Sequence, residues 1–253
     1  MNPLKKRGKK FRRRFRMPMK YFKELMVEIR QDNWFPSYEK KNALGDIGVP
    51  LDLLVLGSLR YLGRGWTFDD LEDVTGISEE VHRRFFHLFV AACTKYLFPK
   101  YVVEPSTAEE IDNAISEFKE AGFDGCIGSA DATHVIMEKC TARLKNQHLG
   151  GKMPHTARAF EITVNHRRRI IATTVGFPGR WNDKTIVRFD GFINRIHRGL
   201  LYENVKYKLY RANGKQISMK GAWILVDGGY LRWSCTIPPY KQYASVQEQR
   251  WSK

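Results

Sequence analysis

Two short apolar runs, each closing on an aspartate, do most to limit what this chain folds into. They are Ile127–Val135, IGSADATHV, with Asp131, and Trp223–Tyr230, WILVDGGY, with Asp227. Each apolar stretch is too brief for a comfortable helix, so both are expected as strands that deliver a carboxylate from their C-terminal ends. If the strands are neighbours in one sheet, the carboxylates lie on one edge, where oxygen ligands suit Mg²⁺ or Mn²⁺. Local roles compete at both positions: Asp131 as the cap of a turn over Ala132-Thr133-His134, and Asp227 in an Asx-turn ahead of Gly228 and Gly229.

Bulk charge indicates the partner class. The 253 residues carry a formal net charge of +16, which points to a polyanion, with nucleic acid ahead of a surface kept basic for solubility. Residues 1–16, MNPLKKRGKKFRRRFR, hold nine Lys or Arg and no acid. Such a block repels itself, so it is expected as a disordered arm, with Arg12, Arg13 and Arg14 as DNA-backbone contacts or part of a nuclear-import signal. No apolar run approaches the roughly 20 residues of a membrane span, and no apolar region follows the N-terminal charge as a secretory signal requires. The four cysteines, Cys93, Cys126, Cys140 and Cys235, include no CxxC pair, which fits reduced thiols better than a disulfide framework or a structural zinc site.

The period of the sequence divides it. From 17 to about 120 it reads as helical: Tyr21, Phe22, Leu25, Met26 and Ile29 recur at helical spacing, and LDLLVLGSLRYL (51–62) reads as a buried helix. Thr67 caps a short segment ending at Gly76, and Ser78 caps a longer one, the outline of a helix-turn-helix with His82, Arg83 and Arg84 as groove-facing candidates. The competing reading leaves those three as solvated residues on an amphipathic helix. Ser106 and Thr107 with Glu109 and Glu110 form a capping box for a helix to about Ala121. After Gly122 the pattern becomes strand-like. Cys126–Ala130 is one strand, Phe160–Asn165 and Ile170–Val175 form a hairpin, Asn182 or Asp183 caps a helix to about Arg198, and Ala222–Val226 is the next strand. The expectation is an α/β (α+β) chain: a basic arm (1–16), a helical helix-turn-helix-like region (17–120) and an RNase H-like mixed-sheet domain (121–253).

Cleaving a phosphodiester with two metals needs carboxylates that converge from different elements. Asp131 and Asp227 are the leading pair, and Asp183 in GFPGRWNDKTI is a third candidate whose simpler role is a helix N-cap. His134 is placed for phosphate contact or packing. Arg143, Lys145, Lys152 and Arg158 follow the first strand as phosphate contacts, which position without specifying sequence. There is no GxSxG and no P-loop, so nucleophile-type or nucleotide chemistry finds no support.

SADATHV, EITVNHRRRIIATTVGFPGRWNDKT and ILVDGGY together resemble the PIF/Harbinger superfamily of DDE transposases and their domesticated nuclease relatives, closely over 120–253 and loosely over 17–120. Asp131 with His134 and Val135 matches the family's D-x-x-H-V pattern. Asp227 with Gly229 and Tyr230 matches D-x-G-Y, and Asp183 matches the G-x-x-x-D context. The resemblance implies Mg²⁺- or Mn²⁺-dependent DNA strand cleavage and transfer in an RNase H-like fold, usually nuclear. It leaves open a separate DNA-binding partner protein and an oligomer. The family's final glutamate belongs on a helix well downstream of the D-G-G-Y strand. Glu248, in VQEQRWSK, does not match that segment, so the expectation is a truncated gene model, a degenerate copy or a fragment, inactive or impaired in catalysis. A non-catalytic DNA-binding protein derived from a transposase is the alternative.

Overall fold

The computed structural model describes residues 6–39, 45, 48–150, 153–211, 213–239, 245, 246 and 249. The chain divides into two compact units, Met1–Lys100 and Tyr101–Lys253, each with its own core. The helix that follows the capping box at Thr107 belongs with the second unit, although the sequence grouped it with the helical region.

The first unit is helical: α1 (Lys6–Phe15), α2 (Met19–Gln31), α3 (Leu51–Arg64), α4 (Phe68–Thr75) and α5 (Glu79–Ala92), the last running through a π-helical stretch, Cys93–Leu97, into α6 (Phe98–Tyr101). The described part of the basic arm is therefore a helix and not a disordered tail. Phe11 and Phe15, four apart, meet with tilted rings 4.6 Å apart, and Phe11 also meets Phe22 of α2 at 5.8 Å. That apolar face offsets the repulsion among the cations of the other face. In α2 the buried residues are Phe22, Leu25, Met26 and Ile29, while Tyr21 lies off this stripe and is exposed. They pack with Leu54 and Val55 of α3 and with Phe85 and Phe89 of α5.

Thr67 starts α4 with a full capping box. Its Oγ1 accepts from the Asp70 amide at 3.1 Å, and its own amide donates to Asp70 Oδ2 at 2.9 Å. Gly76 ends α4 at φ 68°, a left-handed position that suits glycine, and α5 begins three residues later. The Ser78 side chain makes no capping bond; its carbonyl accepts from the amides of Val81 and His82 instead.

The second unit opens with α7 (Ala108–Glu120), which has its own Thr107–Glu110 capping box, and continues with β1 (Cys126–Ile136), α8 (Ala142–His148), β2 (Leu149–Gly150), β3 (Met153–Val164), β4 (Ile170–Thr173) and β5 (Phe177–Pro178). Then come α9 (Asp183–Ile186), a 3₁₀ turn (Val187–Phe189), α10 (Gly191–His197), the hairpin β6 (Lys206–Tyr210) and β7 (Gln216–Lys220), β8 (Trp223–Leu225) and β9 (Thr236–Ile237). The single helix expected from Asn182 to Arg198 is thus broken. Asp190 interrupts it, and its Oδ1 accepts from the Ile193 amide at 2.7 Å to start α10 afresh.

The main sheet runs β4-β3-β1-β8-β9, with β2 and β5 also paired to β3. β3 is antiparallel to β1 and β4, whereas β1, β8 and β9 are mutually parallel. A hairpin leading into a parallel crossover gives the mixed α+β sheet expected of an RNase H-like unit. Ile127, Ile186, Ile193 and Ile224 are completely buried in its core. Each stabilises by about 1.5–3 kcal/mol through burial.

Candidate functional site

β1 and β8 pair in parallel, Gly128 opposite Ile224 and Ser129 opposite Leu225. Asp131 and Asp227 each follow that last rung by two residues, so they stand level on neighbouring chains, just past the end of β8. The strand ends are unequal, however. β1 does not stop before Asp131 but continues to Ile136, because Ala132–Ile136 stay paired with β3. A turn cap at Asp131 is therefore not its role. Its Oδ1 accepts from the Ala132 amide at 2.9 Å, and the residue is exposed. Asp227 does make the local Asx bond, its Oδ1 accepting from the Gly229 amide at 2.8 Å.

Asp183 comes from α9, the element that follows β5. Asn182, not Asp183, caps α9, its Oδ1 accepting from the Thr185 amide at 2.9 Å. Asp183 is left in the first helical turn, where it is buried. A Cβ placed on Gly229 would lie 2.6 Å from Asp183 Oδ2 and 3.0 Å from Asp227 Oδ1. The two carboxylates thus close on a gap at Gly229 too small for a methyl group.

Sequence reasoning missed Glu161. FEITVN reads as an alternating hairpin strand, and its fully buried phase in β3 is that of Ala159, Glu161 and Thr163. The in-phase run of Ala157, Ala159 and Glu161 was the available signal: small residues mark the tightly packed face. The Tyr230 hydroxyl donates to Glu161 Oε1 at 2.5 Å, while Glu161 Oε2 has no hydrogen-bond partner. Burial, with the fields of Asp190, Asp183 and Asp131, pushes this carboxyl up to about 8 against the lowering effect of the Tyr230 bond. This shift favours the protonated form of Glu161 in the metal-free chain. Burial, then Glu161 itself, raises the Tyr230 phenol as well, so the hydroxyl stays a donor. Tyr230 ties the turn after Asp227 to β3 across the sheet.

The remaining candidates divide. Arg12 and Arg13 are exposed on α1 and Arg14 is half-buried. His82 is corrected: at 2% exposure it cannot face a groove, because it points into the bundle, its Nε2 2.8 Å from Thr75 Oγ1 and its ring against Gly57. Arg83 and Arg84 are exposed, but both reach back to Glu80, at 2.6 and 2.5 Å. Arg143, Lys145 and Arg158 are exposed around α8 and β3. His134 is half-buried, and its Nε2 has no hydrogen-bond partner. Lys152 and Glu248 lie outside the described residues.

The donors suit a hard divalent cation in kind, being carboxylate oxygens from separate elements, and Gly229 leaves Asp183 and Asp227 room to converge. Among the described residues no group of three or more His, Cys, Asp or Glu is arranged to hold a metal ion. The described residues thus fit part of a metal-binding set.

Comparison with known proteins places this arrangement in a lineage. The profile of the family described as Plant transposon protein matches residues 99–250, the second unit almost entire. Protein ALP1-like of Arabidopsis thaliana is 22% identical over 201 residues, covering 77% of this chain and 46% of that protein. The chain therefore spans about half the length of the curated relative it matches. No solved structure matches. With more than half of its residues under that profile, the chain belongs to the plant transposon protein family, consistent with descent among the Harbinger-derived DDE transposases.

Proposed function

We propose that this chain is a DDE-type nuclease or transposase, of the kind that cleaves and joins DNA phosphodiester bonds with Mg²⁺ or Mn²⁺, with impaired activity because the family's downstream glutamate is not matched. One observation carries the reading: Asp131 and Asp227 stand level beyond the last rung between parallel β1 and β8, with Asp183 meeting Asp227 at Gly229. Asp131 and Asp227 act as the catalytic carboxylates, and all three aspartates hold the cation. When bound, the cation activates a water or hydroxyl and stabilises the leaving oxygen. Tyr230 and Glu161 keep the Asp227 turn in register with the sheet. Arg143, Lys145 and Arg158 fix the DNA backbone near the carboxylates, and Arg12 and Arg13 add sequence-independent attraction. Nuclear residence, a separate DNA-binding partner protein and an oligomeric assembly accompany the reading as parts of the proposal.

The test is nicking of supercoiled DNA in Mn²⁺. The wild-type chain is expected to nick it slowly, and Asp131→Ala and Asp227→Ala each to lower that rate by at least about a hundredfold, as loss of an electrostatic element of the site does. Nicking unchanged by Asp131→Ala, or none by the wild type, sinks the proposal. A second reading, DNA binding without catalysis, draws on the lack of a three-ligand group among the described residues. It expects salt-sensitive DNA binding that survives Asp131→Asn and no metal-dependent cleavage.

A further inference from the structure

Three aromatic side chains meet on the stretch from β5 to the 3₁₀ turn that carries Asp183. Phe177 stacks on Trp181 with ring centres 5.2 Å apart and planes 17° apart, and Trp181 meets Phe189 at 5.2 Å. Phe189 is 60% exposed, and Trp181 precedes the buried Asp183 by two residues. The ring group is rigidly held. β5 is paired with β3, the Trp181 amide donates to the Pro178 carbonyl at 2.9 Å, and Gly179 presses so close to Ala157 that a Cβ would lie 2.4 Å from its carbonyl oxygen. Arg180, Lys184 and Arg188, all exposed, belong to the same short segment.

Rigid aromatic faces among exposed cations are the combination that holds an unpaired base while its backbone is neutralised. We infer that Trp181 and Phe189 form a stacking platform for an unpaired nucleobase of the DNA substrate, next to the phosphate addressed by the aspartates. The inference rests on the proposed action on DNA. It adds a preference for unpaired or frayed ends, which the carboxylates alone do not supply. Cationic neighbours favour a nucleic-acid occupant over an apolar protein surface.

The test is binding of the full chain, in EDTA, to labelled duplexes that are blunt or carry a short single-stranded overhang. The overhang is expected to bind about tenfold more tightly, and Trp181→Ala and Phe189→Ala each to remove most of that ratio while leaving blunt-duplex affinity unchanged. Trp181→Phe should retain it. Phe189→Ala alters an exposed ring, so it keeps the test decisive if Trp181→Ala does not fold. An equal preference in wild type and alanine variants overturns the inference. So does a change in oligomeric state with the ratio intact, which would make the rings a contact between copies. Because EDTA removes cleavage, absence of Mn²⁺-dependent nicking with a ring-dependent ratio defeats the catalytic reading alone. A ring-independent ratio with nicking intact defeats this one alone.

Discussion

Replacing Glu161 by glutamine removes an ionisable group while keeping its size. In the folded chain burial holds this carboxyl up to about 8, whereas the unfolded chain titrates it at the ordinary 4.5. Below about pH 4.5 both states are protonated and the group has no effect on stability. Between the two values the unfolded state ionises and the folded state does not, so the unfolded state binds fewer protons and stability falls as pH rises. Above about 8 the loss is complete. At neutral pH the mismatch covers between two and three pH units, roughly 3 kcal/mol at about 1.4 kcal/mol per unit. Glutamine keeps the acceptor for Tyr230 but sets an amide where Glu161 Oε2 has no partner, a cost of about 1–3 kcal/mol. Absolute stability at neutral pH therefore changes little, and the pH slope is the readout. Urea unfolding of the full chain between about pH 5 and pH 8 should show wild type losing a few kcal/mol that Glu161→Gln does not lose. Parallel slopes for the two proteins would refute a buried, protonated Glu161.

Gly229→Ala drives a methyl against Asp183 and Asp227, so Mn²⁺-dependent nicking should fall by about a hundredfold, the scale of a 1 Å misplacement, with a stability loss of about 1–3 kcal/mol. Nicking at the wild-type rate would show that the gap is not part of the site. Thr67→Ala removes the capping box of α4 and should cost about 1 kcal/mol of stability in thermal or urea unfolding. Gly57→Ala places a Cβ 2.9 Å from His82 Cε1 and should destabilise the helical unit by about 1–3 kcal/mol, with DNA affinity falling only where folding does. If Arg12 and Arg13 contact phosphates, replacing each with alanine should reduce the salt dependence of DNA binding by about one unit of slope.

The parts of this molecule that sequence made legible are those governed by local chemistry. Thr67 and Thr107 with acids three residues on, Gly76, and the helical spacing of Phe22, Leu25, Met26 and Ile29 specify their helices through short-range bonds and one buried face. The pairing of β1 with β8 was approachable because each apolar run ends near an aspartate. What escaped depended on contacts distant in sequence. His82 looked like a polar helix residue until Gly57 and Thr75 enclosed it. Glu161 escaped because the larger residues beside it lie in the other phase, although both phases of β3 are at least partly covered. The helix of 6–15 escaped because a charge count outweighed two phenylalanines whose partner, Phe22, begins seven residues beyond Phe15. The hairpin β6–β7 escaped although KYKLY and QISMK alternate polar and apolar residues, because both strands are short and mostly exposed.

The parallel pairing of β1 with β8 also has a kinetic meaning. β1, β3 and β4 follow one another closely in sequence and form antiparallel pairs, so they come together early, but β8 reaches β1 only after a longer excursion; the indole of Trp223 bonds to the Asp124 carbonyl 99 residues away. Loop closure over that distance makes the step slow relative to the hairpin. Asp131 is thus synthesised and paired on one side well before Asp227 exists, and in the interval β1 presents an open edge rich in unpaired backbone groups. Fragments ending before β8 should expose that edge and self-associate, whereas chains that include Trp223–Tyr230 close it and complete the carboxylate pair in the same event.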